Sequence, residues 1–248
     1  MSTDKSEMIF GTRALIEAVQ AGKELDKVFL QKGNRNELSE ELLGLLKSRS
    51  IPYSTVPIEK LNRITRKNHQ GAIAFLSAVI YASLDNIINE AYTQGKEPLL
   101  VILDRITDVR NFGAVARSAE CLGVQAMVIP AKGGARIGGD AVKASAGALH
   151  HIPVCREDNL KSTLNYLRSS GVRIIACSEK ADNTADQTDL KGPIALLMGS
   201  EEDGISPEYL KFADEKVRIP MLGKIASLNV SVATSICLYE VQKQRQSS

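Results

Sequence analysis

The 248-residue sequence predicts an α/β protein in two parts, a small α/β domain over residues 1–78 and a larger parallel-sheet domain over 98–248, with a linker at 79–97. Three observations carry this reading. Strand-like and helix-like apolar segments alternate along the chain. From residue 98 the strand-like runs lengthen and become almost continuously apolar, the pattern of strands covered on both faces. Between 79 and 97 the apolar content falls and the stretch ends in Gly95 and Pro98, which reads as a linker with one short helix.

In the first domain GTRALIEAVQAG (11–22), NELSEELLGLLKSR (36–49) and IEKLNRITRK (58–67) have helical apolar spacing. KVFLQ (27–31), PYSTV (52–56) and GAIAFLSAV (71–79) read as strands between and after them. The second domain offers six apolar strands: PLLVILDRI (98–106), QAMVIP (125–130), HIPVC (151–155), VRIIACS (172–178), PIALLMGS (193–200) and KVRIPM (216–221). Helices are expected at FGAVARSAECLG (112–123), DAVKASAGALH (140–150), NLKSTLNYLRSSG (159–171), PEYLKFADE (207–215) and SLNVSVATSICLYEVQKQR (227–245). The polar tail QKQRQSS (242–248) reads as frayed, and no internal repeat or low-complexity tract is seen.

Composition excludes several classes. With 44% hydrophobic and 24% charged residues the chain is of ordinary globular type, and a net charge of +2 does not by itself point to nucleic acid. The start MSTDKSEM lacks a basic segment followed by an apolar run, and no window reaches the roughly 18 apolar residues of a membrane span. A cytoplasmic protein without a membrane partner is expected. Four scattered cysteines without a C-x-x-C pair, and three histidines, make disulfides and a metal site unexpected. Dinucleotide, phosphate-loop and nucleophile-elbow fingerprints are absent. GGARIGG (133–139) reads as a flexible flap.

Ligands of parallel sheets sit beyond the carboxyl ends of the strands, so the loops after the apolar runs are where chemistry is expected. After PLLVILDRI, Asn111, Gly113 and Arg117 fall at the mouth and first turns of a helix, with Asn111 suited to capping it and Gly113 to close backbone approach. Arg117 lies among Ala, Val and Cys, and two roles are open to it: an ion pair with Asp104 or Asp108, or a fork for a phosphate or substrate oxyanion. Arg105 and Arg110 border the same loop, which favours an anionic ligand.

Two further loops stand out. In LLMGSEEDGIS (196–206) a buried-type strand ends at Gly199 and is followed by Glu201, placed either on a solvated turn or in the cleft. Around Ser227, Leu228, Asn229 and Ser231 a helix starts with more capping groups than it needs; one caps the helix and the others are free to meet a ligand. In the first domain Lys60, Arg63, Arg66 and Lys67 cluster opposite Glu59 and precede His69. They form either a solvated helix face or a footprint for an RNA backbone.

Taken together, N-x-G-x-x-x-R at Asn111 to Arg117, M-G-S-E-x-x-G at Met198 to Gly204, and I-P-M at Ile219 to Met221 with S-L-N-V-S-V-A at Ser227 to Ala233 resemble the three motifs of the SpoU (TrmH) class of RNA ribose 2'-O-methyltransferases. F-G-T-R-A-L-I-E-A near residue 10 and H-Q-G-A-I-A at 69–74 are similar to the ribosomal-protein-like substrate-binding domain of bacterial members that methylate a guanosine ribose in 23S rRNA. The resemblance implies a SPOUT methyltransferase domain with a deep trefoil knot, S-adenosyl-L-methionine as cofactor, a homodimer, and RNA, most of all rRNA, as partner. It places Gly199, Ile219 and Leu228 at the cofactor with Ser227 and Asn229 beside them. It makes Arg117 the catalytic arginine, acting across the subunit boundary, with Glu201, Asn229, Asn111 and Ser227 in the catalytic set. A tRNA ribose methyltransferase and a non-catalytic RNA-binding ribosome-assembly protein are the competing expectations.

Overall fold

The computed structural model describes residues 8–225 and 227–246. The chain divides into two compact units: residues up to 80 together with 136–139, and residues 81–135 together with 140 onward.

The first unit is built on a four-stranded sheet, in which β1 (Met8–Phe10) and β2 (Leu25–Gln31) run antiparallel to β4 (Ala72–Leu76), and β3 (Tyr53–Val56) runs parallel to β2. Alternation along β4 sorts its residues to two cores. Ala72 and Ala74 meet Leu15, Ile16 and Val19 of α1 (Thr12–Gln20) and Leu42 and Leu46 of α2 (Glu37–Ser48). Ile73 and Phe75 meet Leu61 of α3 (Ile58–Ile64) and Val56. Because both faces are covered, β4 reads as an unbroken apolar run. Asn36 caps α2 by accepting the Ser39 N–H at 2.9 Å.

Two details differ from the sequence reading. The three-residue strand β1 is too short to show a period and is held by pairing to β4. Helix α3 stops at Ile64: Thr65 is extended (φ −150°) and its hydroxyl accepts the Lys67 N–H at 3.3 Å, so Arg66 and Lys67 leave the helix face.

The second unit is a seven-stranded parallel sheet in the order β7-β6-β5-β10-β8-β11-β9. Its strands are β5 (Leu99–Leu103), β6 (Ala126–Pro130), β7 (Val154–Glu157), β8 (Arg173–Cys177), β9 (Asn183–Thr184), β10 (Ile194–Met198) and β11 (Glu215–Arg218). The helices are α4 (Leu84–Thr93), α5 (Val109–Cys121), α6 (Gly139–Ala144), α7 (Leu160–Ser169), α8 (Pro207–Leu210) and α9 (Val230–Gln246). Central strands β5 and β10 are buried along their whole length, as their apolar runs require. Leu84 and Ile88 of α4 pack into this sheet's core, so the segment 81–97 belongs to the second unit.

The helix expected over 140–150 ends at Ala144, because Ala146 (φ +51°) and Gly147 (φ +88°) turn the chain into a short 3-10 segment. The expected frayed tail is instead anchored through Gln246. Gln242 donates to Leu122 O at 2.6 Å, Gln244 accepts the Leu190 N–H at 2.9 Å, and Arg245 donates to Gly192 O at 2.6 Å. Long amide and guanidinium side chains here fill the acceptors of neighbouring turns, which a polar composition does not reveal. Residues 247–248 lie outside the described residues.

Candidate active site

Strands β5, β10, β8 and β11 are consecutive neighbours, so the loops that follow them gather at one end of the sheet. The loop after β10 is the tightest. A Cβ on Gly199 would lie 2.1 Å from Gly204 C and from Ile205 N, so the chain folds back on itself at a distance that no other residue permits. The turn is closed by Ser200 N–H to Gly204 O (3.1 Å) and Gly204 N–H to Ser200 O (2.9 Å), with Gly204 at φ +67°.

The loop after β5 clamps this turn. Asp104, 1% exposed, accepts the Arg105 Nε–H at 3.0 Å and the Ser206 N–H at 2.7 Å. Arg105 reaches on to Asp203 (3.1 Å) and Gly204 O (3.2 Å), and the hydrogen bond to Asp104 raises its pKa above the ordinary value. Arg105 is therefore engaged within the protein, in place of the anion expected for it. This clamp joins residues about a hundred positions apart, and only the unusual run of acids hinted at it.

Three amide and carboxylate side chains then close a triangle. Asp108, in place of the expected Asn111, caps α5 by accepting the Asn111 N–H at 2.8 Å. That frees the Asn111 side chain, whose Nδ2 donates to Glu201 Oε1 at 2.8 Å. Asn229 Nδ2 donates to the same Oε1 at 2.7 Å and to Asn111 Oδ1 at 3.0 Å. Asn229 Oδ1 accepts the backbone N–H of Ser231 at 3.0 Å, so one side chain both caps α9 and fixes the carboxylate. Hydrogen bonds to a charged acceptor are the stronger kind, about 1.5–3 kcal/mol each before solvent exposure is discounted. Glu201 Oε2 carries no partner among the described residues.

The triangle stands where two clefts meet. One, of about 290 Å³, is lined by Gly199, Glu201, Ile219, Met221, Ser227 and Leu228 together with the inner face of α9. The other, also about 290 Å³, is lined by Asn111, Arg105 and Gly133. Ser200 to Asp203 and Val230 form a wall common to both. The first cleft joins apolar walls, the Ser227 hydroxyl and the glycine turn at Gly199. Such a lining suits a small organic ligand with apolar and polar parts, and no cluster of metal ligands occurs among the described residues.

Other singled-out residues are placed as follows. Arg117 is exposed on α5, lines neither cleft, and makes no hydrogen bond or ion pair among the described residues. Of the two ion-pair partners open to it, Asp104 holds Arg105 and Asp108 caps α5. Gly113 serves packing: a Cβ there would stand 2.5 Å from Ala144 Cβ. The expected flap is anchored, since Ile137 is fully buried and Ala135 N–H donates to Ile106 O at 2.7 Å. In the first unit Lys60 and Lys67 lie over Phe29 and Phe10 at 5.1 and 5.2 Å, while Arg63 and Arg66 are exposed. His69 is 7% exposed, with Nε2 bonded to Asn62 Oδ1 (2.9 Å) and Nδ1 accepting the Gly71 N–H (3.1 Å). Its ring supports the loop and offers no free nitrogen. All four cysteines are free thiols, and no helix of the described residues is long and apolar enough to cross a membrane.

Residues 98–239 match the SpoU rRNA methylase family, and residues 8–82 match the RNA 2'-O ribose methyltransferase substrate-binding family. A TrmH family tRNA/rRNA methyltransferase of Bacillus subtilis is 31% identical over 243 residues, covering 98% of each chain. The AdoMet-bound rRNA methyltransferase of Sinorhizobium meliloti superposes with a TM-score of 0.61 at 25% identity, over 96% of this chain and 87% of that one. The TrmH/SpoU tRNA modifying enzyme of A. aeolicus, 29% identical with a TM-score of 0.56, covers 65% of this chain and 85% of its own. With its apolar cleft, its glycine turn and an RNA substrate-binding unit ahead of them, the chain belongs to the SpoU family of S-adenosylmethionine-dependent RNA methyltransferases.

Proposed function

We propose that this enzyme methylates a ribose 2'-hydroxyl of rRNA, a guanosine of 23S rRNA above all, in the cytoplasm and as a homodimer. The observation that carries the reading is the Asn111–Glu201–Asn229 triangle on the wall between two clefts, one suited to the methyl donor and one left for a sugar. S-adenosylmethionine, when bound, supplies a methyl group already activated on a sulfonium. Gly199, Ile219 and Leu228 hold the donor, largely through backbone and apolar contact, with Ser227 beside them.

The protein must align the attacking oxygen and help a weakly acidic alcohol lose its proton. Two amides fix Glu201 through Oε1, which leaves Oε2 directed to the ribose hydroxyl as an orienting acceptor. A guanidinium offers donors and no acceptor, so the part of Arg117 is to grip the neighbouring phosphate and stabilise negative charge growing on the sugar oxygen. Its absence from its own chain's clefts supports action across a subunit boundary. Helix α9 supplies a face for such a boundary, because Val232, Ile236 and Tyr239 form an exposed apolar stripe away from its buried residues Val230, Thr234, Cys237 and Val241.

The choice of rRNA is supported by the first unit, which the A. aeolicus tRNA modifying enzyme, matching 65% of this chain, gives little room for. The test is to incubate the protein with methyl-labelled S-adenosylmethionine and either total rRNA or total tRNA. Label should enter rRNA; label confined to tRNA would replace this substrate with the other.

A further inference from the structure

We infer that the first unit holds a pocket for an unpaired nucleobase of the RNA, walled by side-chain carboxamides. The inference rests on RNA being the substrate, and goes beyond it by naming what is read and where. The loop after β2 and the loop before β4 come together through Gln31 N–H to Gly71 O (2.7 Å) and Asn34 Nδ2 to Gln70 O (3.2 Å). Between them opens a cavity of about 470 Å³. Six of its ten lining residues carry a carboxamide: Gln31, Asn34, Asn36, Asn62, Asn68 and Gln70.

Some of these amides hold the frame. Asn36 caps α2 and donates to Asn34 Oδ1 at 3.2 Å. Others are unengaged: among the described residues the side chains of Gln31, Asn68 and Gln70 have no hydrogen-bond partner, nor does the NH2 group of Asn62. Buried His69 sets the direction of that group. Its Nδ1 accepts from Gly71, so the ring proton is on Nε2 and must go to Asn62 Oδ1, which turns the Asn62 NH2 outward. Gly71 (φ +82°) lets the amides close over the backbone, since a Cβ there would stand 2.6 Å from Asn34 Nδ2 and 3.0 Å from Gln31 Oε1.

The chemistry of the lining selects the ligand. It has one cation, Lys67, and no carboxylate. A phosphate presents acceptors alone and calls for several cations or N–H groups, whereas a carboxamide offers a donor and an acceptor side by side. That pattern matches the edge of a nucleobase, and Asn or Gln in bidentate contact is how such edges are read. Ile58, 40% exposed, gives an apolar surface for the ring face. Duplex RNA hides its base edges, so the ligand is an unstacked base from a loop or bulge. Arg63 and Arg66, exposed nearby in sequence, meet the flanking phosphates.

The test compares binding of the full-length protein to two fluorescent single-stranded RNAs of equal length and charge, one with bases and one abasic at every position. Wild type should bind the base-bearing RNA about tenfold more tightly than the abasic one, the discrimination of one good bidentate contact. Asn62→Ala with Asn68→Ala should lose that preference while keeping the salt dependence, and Gln31→Ala with Gln70→Ala, on the opposite wall, should do the same. Arg63→Ala with Arg66→Ala should weaken both RNAs alike and lower the salt slope. Equal wild-type affinity for the two RNAs, or a preference that survives both amide variants, would overturn the pocket. Methyl transfer to total rRNA, measured in parallel, separates the two failures: its persistence leaves the enzyme reading intact, and its absence removes that reading as well.

Discussion

Gly199→Ala should disable the cleft proposed for the cofactor without altering any side chain that faces it. The added Cβ would stand 2.1 Å from Gly204 C and Ile205 N and 2.4 Å from Gly204 O, all backbone atoms, so no rotamer change relieves the contact. The turn must open by about 1.4 Å to reach ordinary separation. Opening breaks both Ser200–Gly204 backbone bonds, at 3.1 and 2.9 Å, and the Arg105 bond to Gly204 O at 3.2 Å. Three hydrogen bonds at about 1 kcal/mol each place the loss near 3 kcal/mol, about a fifth to three fifths of a typical folding free energy. Urea denaturation reads this as a lower midpoint at unchanged slope. Calorimetric titration with S-adenosylmethionine should show affinity falling by about a hundredfold or more, because a displaced turn forfeits a comparable free energy of binding. Stability within about 0.5 kcal/mol of wild type, together with unchanged cofactor affinity, would refute the packing argument.

Other perturbations probe the remaining parts. Arg117→Ala should abolish methyl transfer and leave S-adenosylmethionine binding nearly intact; in the proposed homodimer, subunit exchange of Arg117→Ala with Glu201→Ala should restore about a quarter of wild-type sites, since half of the pairs would be mixed and each would have one complete site. No recovery in the mixed sample would place Arg117 in its own chain's site. Burial, aided by Glu157, pushes the Cys155 thiol from 9.0 to about 12. The unfolded chain releases that proton first, so stability is full below about pH 9 and falls as pH rises toward 12, by roughly 1.4 kcal/mol between about pH 8 and pH 10. Cys155→Val should remove that part of the alkaline slope, as read from urea midpoints at the two pH values. Arg245→Ala should cost about 1–2 kcal/mol by releasing Gly192 O and Pro98 O, measured by thermal unfolding.

Periodicity located the long strands because β5 and β10 are covered on both faces and keep their apolar runs intact. It missed β1 and β9, which exist through pairing to β4 and β11. Residue type exposed Asn111, Glu201 and Asn229 as unusual in their loops. Their meeting in one triangle depends on contacts spanning 90, 118 and 28 residues, which spacing along the chain does not encode. Arg105 shows the opposite failure: its charge was legible, yet the ligand is the protein's own Asp104 and Asp203. His69 reads as a contact group in the sequence, and its burial and its bonds to Asn62 and Gly71 come from contacts that the sequence does not display. The tail differs for a simpler reason, since amides at Gln242 and Gln244 look solvent-bound until the acceptors of other turns are in place.

The position of the transferred methyl group tests the account most directly. RNA labelled by this enzyme, digested with alkali, should release the label in dinucleotides, because a methylated 2'-oxygen no longer attacks its neighbouring phosphate. Label released wholly as mononucleotides carrying a methylated base would contradict a site in which Glu201 and Arg117 present a ribose hydroxyl to the donor.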